Sequence, residues 1–226
     1  MKIAILTGAG ISAESGLGTF RDVDGLWTKY DLEDVATPEG FARNPALVQE
    51  FYNARRANCA SASPNAAHEA LAKLETSDHD VTLITQNVDD LHERAGFQAV
   101  IHMHGELMQA LCARCDHRWP APANMQTTDV CPACGAPATR PDVVWFGEVP
   151  YHMDTIMLAV SECDLFVAIG TSGDVYPAAG LVDMANQAGA DTLEINLAPS
   201  SRANAFADRR IGTATETVPA WVDSLF

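Results

Sequence analysis

Lys2-Ile-Ala-Ile-Leu-Thr7 runs directly into Gly8-Ala-Gly-Ile-Ser-Ala-Glu-Ser-Gly16, and the reading of this passage decides the fold. The first six residues are an apolar run of strand length. A buried strand that breaks into Gly-x-Gly-x-x-Ala and then a helical pattern is the turn that binds dinucleotides. Gly8 allows the tight turn, Gly10 lets the backbone approach a pyrophosphate, and Ala13 lets the next helix pack on the strand. The unpaired N–H groups and positive end of that helix would then face the phosphates. A glycine-rich turn after a strand is also often only a turn. The acidic residue that usually grips the ribose is expected about 20 residues on. Asp22 and Asp24 come too early, in a stretch that does not read as a strand, so another group must hold the ribose.

Outward from this turn, the chain alternates strand and helix. Residues 16–40 are rich in Gly and Pro and read as a functional loop. Phe41 to Asn58 has helical spacing, and Pro64-Asn65 opens a second helix with the stripe Ala67, Leu71, Leu74. His68 on that helix reads as a capping or packed histidine. Val81 to Thr85 is a buried strand followed by Gln86-Asn87-Val88-Asp89-Asp90. Polar residues there serve either as ligand contacts at a strand's C-terminal end or as a helix cap. Ala99 to Gly105 reads as a strand in which His102 and His104 share a face. Beyond residue 141 come the apolar Val143 to Phe146 and a helix over Tyr151–Val160. Strands follow over Asp164–Ile169 and Thr192–Leu197, with helices over Ala178–Ala188 and Val218–Phe226. This alternation predicts an α/β fold, a Rossmann-like parallel sheet with helices on both faces.

The net charge of −16 repels phosphate backbones and argues against nucleic acid as a partner. No apolar run spans a bilayer. A strand at the very start of the chain predicts no leader peptide and a cytoplasmic location. Four of the six cysteines form Cys112-x-x-Cys115 and Cys131-x-x-Cys134. Two such knuckles supply four thiolates to one tetrahedral zinc, leaving no position for a catalytic water. The predicted zinc is therefore structural and holds a small lobe with little core of its own. Cys59 and Cys163 stand apart and read as packing residues.

Taken together, the motifs resemble the sirtuins, NAD-consuming protein-lysine deacylases. They are Gly8-Ala9-Gly10-Ile11-Ser12, Thr85-Gln86-Asn87-Val88-Asp89, His104-Gly105, the two cysteine knuckles, Val143-Val144-Trp145-Phe146-Gly147-Glu148, Gly170-Thr171-Ser172 and Glu194-Ile195-Asn196. The resemblance covers essentially the whole chain, as one catalytic domain. It implies a Rossmann-like lobe over about 1–18, 64–104 and 141–226. A small lobe would be built from a helical insertion (about 19–63) and a zinc-binding one (about 105–140). Gly18-Thr19-Phe20-Arg21 departs from the Pro-Asp-Phe-Arg of many sirtuins but keeps Phe20 and Arg21.

The resemblance also implies roles. Gly8 to Trp27, including Glu14, Phe20 and Arg21, would wrap the NAD pyrophosphate and cover the nicotinamide end. Gln86, Asn87, Val88 and Asp89 would line the nicotinamide pocket and its ribose. Gly170, Thr171, Ser172, Asn196, Leu197 and Ala198 would hold the adenosine side, with Ala214 bordering the adenine. Val144 and Phe146 would pair an extended peptide as an added strand. In the implied mechanism the acyl-lysine oxygen displaces nicotinamide from the ribose. His104 then acts as general base on a ribose hydroxyl, which attacks the resulting imidate. Water completes the cycle, giving lysine and O-acyl-ADP-ribose. A neutral imidazole suits that work near pH 7, and His102 is left a packing role.

Tyr52-x-x-Arg55 places two side chains on one helix face. An arginine fork binds a carboxylate through two hydrogen bonds, and a phenol adds a third. As plain sequence it is also an ordinary surface pair, and Arg56 follows at once. Within the resemblance it matches the pair that marks removal of succinyl and malonyl groups, and Ala36 matches the small residue that widens that pocket. The expected substrates are thus acyl-lysine proteins or peptides, with acetyl removal retained and the enzyme acting as a monomer. The rival readings are ADP-ribosyl transfer or NAD hydrolysis, a dehydrogenase without its ribose acid, and a non-enzymatic zinc-and-nucleotide binding module.

Overall fold

The computed structural model describes residues 1–18 and 30–226. Its strands are β1 (Lys2–Thr7), β2 (Asp80–Thr85), β3 (Val100–His102), β4 (Gly105–Cys112), β5 (Arg118–Pro120), β6 (Thr139–Val143), β7 (Leu165–Ile169), β8 (Asp191–Asn196) and β9 (Asp208–Ile211). Its helices are α1 (Leu32–Val35), α2 (Pro38–Arg43), α3 (Pro45–Ser61), α4 (Ala66–Glu75), α5 (Leu91–Arg94), α6 (Met153–Glu162), α7 (Leu181–Ala188) and α8 (Ala214–Asp223). Among the described residues no helix is long and apolar enough to cross a membrane.

Six strands form one sheet in the order β3-β2-β1-β7-β8-β9, every pair parallel. Strand β1 is central because both of its faces are apolar. Ile3 and Ile5 pack with Leu71 and Leu74 of α4 and Val218, Trp221 and Val222 of α8. Ala4 and Leu6 turn the other way, onto Ile156 and Val160 of α6 and Leu181, Val182 and Ala185 of α7. This two-residue alternation gives the sheet a core on each side, which is what a parallel sheet needs. The chain runs from β1 outward to β2 and β3, then returns to the other side of β1 for β7. Strand order therefore reverses between β1 and β7, and a crevice opens at their C-terminal ends.

A second, antiparallel sheet has the order β5-β4-β6. Gly105 starts it at φ +81°, and a Cβ there would lie 2.2 Å from the Asp142 carbonyl oxygen, so only glycine lets β4 leave β3 this close to β6. The face of α3 carrying Gln49, Asn53 and Arg56 holds this sheet. Gln49 donates to the Thr139 carbonyl, Asn53 exchanges hydrogen bonds with the Met125 backbone at 2.9 and 2.8 Å, and Arg56 donates to the Ala123 carbonyl.

Three local expectations change. Among the described residues no α-helix directly follows β1; two 3-10 turns, Ala9–Ile11 and Ala13–Ser15, end at Gly16 with φ +85°. The helix read from Phe41 to Asn58 is two helices, because Pro45 lacks an N–H and the Asn44 side chain caps Leu47 to start α3 afresh. The strand read through Gly105 stops at His102, so His104 sits in the turn between β3 and β4.

Candidate functional site

The crevice floor is made by two glycine turns that interlock. Gly8 donates to the Ile169 carbonyl at 2.9 Å and Gly10 to the Gly170 carbonyl at 2.8 Å. A Cβ on Gly10 would lie 2.7 Å from Gly170 Cα, and one on Gly170, at φ +64°, would lie 2.5 Å from the Ile11 nitrogen. The turns after β1 and β7 can approach this closely only without side chains. Amides from neighbouring strands stitch them. Gln86 donates to the Thr171 hydroxyl (3.0 Å), Asn196 to the Thr171 carbonyl (2.7 Å), and Asn87 to the Gly8 carbonyl and Ser12 Oγ (both 3.2 Å). The Ser172 hydroxyl accepts from the Asp174 N–H, and Leu197 and Ala198 stand exposed beyond Asn196. Glu14 accepts from both the N–H and the hydroxyl of Thr215 and so joins the first turn to the start of α8, where Ala214 lies. Beside Ala214 the buried Thr213 hydroxyl has no hydrogen-bond partner among the described residues. A side-chain-free cradle at a topological switch point, rimmed by amides and hydroxyls, suits a pyrophosphate with its sugars.

Ser12 is the polar hub of the next compartment. Its hydroxyl donates to Asp89 (3.1 Å) and accepts from Asn87. His68 Nδ1 accepts from the Asn65 N–H, so its Nε2 carries the proton and donates to Ser12 at 3.4 Å. His68 thus does cap α4, as its position suggested, but its other nitrogen reaches the site. Burial drives its pKa down to about 4, which keeps it neutral. Asp89 accepts from the Leu91 N–H as well, so it bonds a backbone N–H at the start of α5 as the cap reading expected. Burial raises the Asp89 pKa, and these hydrogen bonds oppose that. Val88 packs behind them in the cluster that contains Ala36 and Tyr52.

Two histidines reach consecutive carbonyls of this segment, and their pKa values move in opposite directions. His104 Nδ1 lies 3.1 Å from the Gln86 carbonyl oxygen. A carbonyl only accepts, so Nδ1 holds the proton and Nε2 keeps its lone pair. Burial lowers the His104 pKa below 6.5, against a smaller opposite pull from the Gln86 bond, so the ring is neutral at pH 7. His102 Nδ1 lies 3.2 Å from the Asn87 carbonyl oxygen, and its Nε2 lies 2.6 Å from Glu93. Burial opposes its charge, but the Glu93 hydrogen bond and charge prevail and raise its pKa. With Nδ1 on a carbonyl and Nε2 on a carboxylate, both ring nitrogens of His102 are engaged, and neither is open to act as a base.

The Val144–Phe146 segment crosses from His104 to the helical face that carries Tyr52. Val144 donates to the His104 carbonyl and Phe146 to the Ala36 carbonyl, each at 2.9 Å. Trp145 points inward between them, and its indole N–H donates to the Tyr52 hydroxyl at 2.9 Å. Ala36, Tyr52, Val88 and Trp145 belong to one buried cluster. The Arg55 guanidinium lies 5.5 Å from the Tyr52 ring centre and 5.8 Å from that of Phe51. Burial lowers its pKa, while Tyr52 and then Asp89 pull the other way. Arg55 thus faces the crevice, whereas Arg56 faces the small sheet. The sequence marks Val144 and Phe146 as peptide contacts, and two-residue alternation alone sends Trp145 between them to the opposite side.

The four knuckle cysteines do converge. Cys112–Cys134 and Cys115–Cys131 sulfurs are each 3.7 Å apart, and all four lie within 4.8 Å of one another. Tetrahedral zinc with Zn–S of about 2.3 Å requires sulfurs about 3.8 Å apart, so the set fits that metal. Phe20, Arg21 and Trp27 lie outside the described residues.

Comparison with known proteins follows the same lines. Residues 8–177 match the Sir2 family. A protein of Caulobacter vibrioides named NAD-dependent protein deacylase is 60% identical over 230 residues, covering 100% of this chain and 97% of its own length. A Salmonella typhimurium protein of the same name is 54% identical over 226 residues, covering 98% of this chain and 83% of its own. The solved structure of a Sir2 homologue in complex with NAD aligns with a TM-score of 0.89 at 39% identity, over 99% of this chain and 88% of that one. Sequence, fold and site geometry agree, and the chain belongs to the Sir2 family.

Proposed function

We propose that this chain is an NAD-dependent protein-lysine deacylase that removes succinyl and malonyl groups and retains acetyl removal, in the cytoplasm. The observation that carries the reading is one run of hydrogen bonds. Gln86 holds His104, His104 holds Val144, Phe146 holds Ala36, and Trp145 between them holds Tyr52. A peptide laid along 144–146 therefore meets a neutral base at one end and the Tyr52–Arg55 face at the other. Bound NAD supplies an electrophilic ribose carbon. The chain's own groups do the rest. The Gly8–Gly10 and Gly170–Ser172 turns seat the phosphates, and Asn196 and Thr171 orient the adenosine side. Ser12, Asn87 and Asp89 line the nicotinamide end, where the apolar cluster behind them excludes water. His104 Nε2 accepts the proton of a ribose hydroxyl. Arg55 and Tyr52 receive an acyl carboxylate, and the zinc holds the small sheet.

The test is nicotinamide release from NAD with matched succinyl-lysine and acetyl-lysine peptides and a peptide-free control. Peptide-dependent release, faster with succinyl, is expected. Release indifferent to peptide would point to NAD hydrolysis. In Arg55→Met, kcat/KM for the succinyl peptide should fall about ten- to hundredfold more than for the acetyl peptide, the cost of losing a charge-assisted hydrogen bond. Equal losses would end the claim that Arg55 reads a carboxylate.

A further inference from the structure

We propose that Trp145 is a positioning residue for acyl selectivity: its indole N–H fixes the direction in which the Tyr52 hydroxyl donates. This rests on the acidic-acyl reading above and adds the group that makes Tyr52 a directional donor. An indole nitrogen can only donate, so at 2.9 Å the Tyr52 oxygen must be the acceptor. Arg55, also a donor only, acts on the same hydroxyl. With donors aimed at the oxygen, the phenolic proton is turned away from both. Burial raises the Tyr52 pKa, which keeps the proton in place. The arrangement delivers an O–H and a guanidinium side by side, the donor pair a carboxylate takes.

Trp145 is itself held from behind. The Arg140 guanidinium carbon stacks 3.5 Å from its ring centre. Glu148 grips that guanidinium through two bonds of 2.6 and 2.9 Å and accepts from the Trp145 backbone N–H at 2.8 Å. Arg140 also donates to the Val143 carbonyl. The indole is only 3% exposed, so little freedom remains for its N–H. A Phe in its place would keep the ring and the stacking and lose only the donor.

The experiment compares Trp145→Phe, Tyr52→Phe, the double variant and Arg55→Met in steady-state deacylation of matched succinyl and acetyl peptides. In Trp145→Phe the ratio of succinyl to acetyl kcat/KM is expected to fall about tenfold, mostly through KM for the succinyl peptide. In the Tyr52→Phe background the same change should shift the ratio less than twofold, because the hydroxyl through which it acts is already gone. Equal losses on both peptides in Trp145→Phe, or a full effect that persists without the Tyr52 hydroxyl, would overturn the proposal as a matter of packing. A ratio that moves in Arg55→Met but not in Trp145→Phe would refute the role of Trp145 alone. A ratio unmoved in Arg55→Met would remove the acidic-acyl reading itself. If Trp145→Phe does not fold, Trp145→His is the substitute. It offers a ring N–H and should retain part of the selectivity; complete loss of selectivity with acetyl turnover kept would count against the hydrogen bond.

Discussion

The two sheets of this protein are held by different physics. The six-stranded sheet buries aliphatic side chains on both faces, with Ile5, Leu71, Leu74 and Val160 wholly shielded from water. Burial of that kind contributes about 1.5–3 kcal/mol for each such side chain. The three-stranded sheet has few such residues. It is fixed at one end by four cysteine sulfurs and along α3 by amide and guanidinium bonds. The proposed catalytic turn is where the chain passes from one sheet to the other: His104 lies between the last residue of β3 and the first of β4. A base placed at that seam takes its geometry from both sides, so damage to either sheet should reach it by a different route.

The largest effect should come from the metal. Structural zinc supplies on the order of 10 kcal/mol of apparent folding free energy to a lobe that lacks a core. Cys131→Ser should lose its zinc by elemental analysis. Protease cutting should then concentrate between residues 105 and 143, and deacylation should drop more than a hundredfold. Unfolding of the whole chain in a single step would break the distinction between the two sheets. The converse change is Leu71→Ala, which opens a cavity against β1. It should lower stability in urea by about 3 kcal/mol while zinc content stays at one per chain.

A smaller effect is expected on α3. Asn53→Ala leaves the Met125 N–H and carbonyl without their partner and should cost about 1–2 kcal/mol. Faster cleavage in residues 121–130 would sharpen the assignment, and unchanged cleavage there would contradict it.

The smallest effect concerns pH. The His102 pKa is raised above its ordinary 6.5, chiefly by Glu93 working against burial. A raised histidine pKa adds stability that is fully present below pH 6.5 and is lost as pH rises through the folded value. Glu93 is partly exposed, so the term should stay under about 1 kcal/mol. Stability of Glu93→Gln relative to the parent should therefore differ more at pH 6 than at pH 9. A gap that widened with pH would reverse the assigned charge state.

Much of this was legible in one dimension. The two Cys-x-x-Cys knuckles named their metal because four thiolates at that spacing have few other uses. The Gly8–Gly10 turn named its ligand class because glycine is the residue that permits close backbone approach. The apolar run Lys2–Thr7 and the alternation of strands and helices along the chain predicted a parallel sheet with helices on both faces, and that is the sheet found. Short, charged β9 was not anticipated, since Asp-Arg-Arg-Ile carries no apolar period and pairs only because β8 offers it an edge. The second sheet was missed for the same reason: its strands are set by zinc and by long-range polar bonds, which leave no periodic trace.

The sequence by itself determined the chemistry on offer: a glycine turn, a histidine, four thiolates, and an arginine with a tyrosine one helical turn away. Those depend on residue type and local spacing, which are written in the chain. Only the tertiary structure decided which of two neighbouring histidines keeps a lone pair and which of two neighbouring arginines faces the crevice. It also decided that Trp145, between two residues read as peptide contacts, turns inward to Tyr52. Those outcomes depend on burial and on partners brought up by other elements, Glu93 of α5 against His102 and Ala123 against Arg56, and no local pattern encodes them.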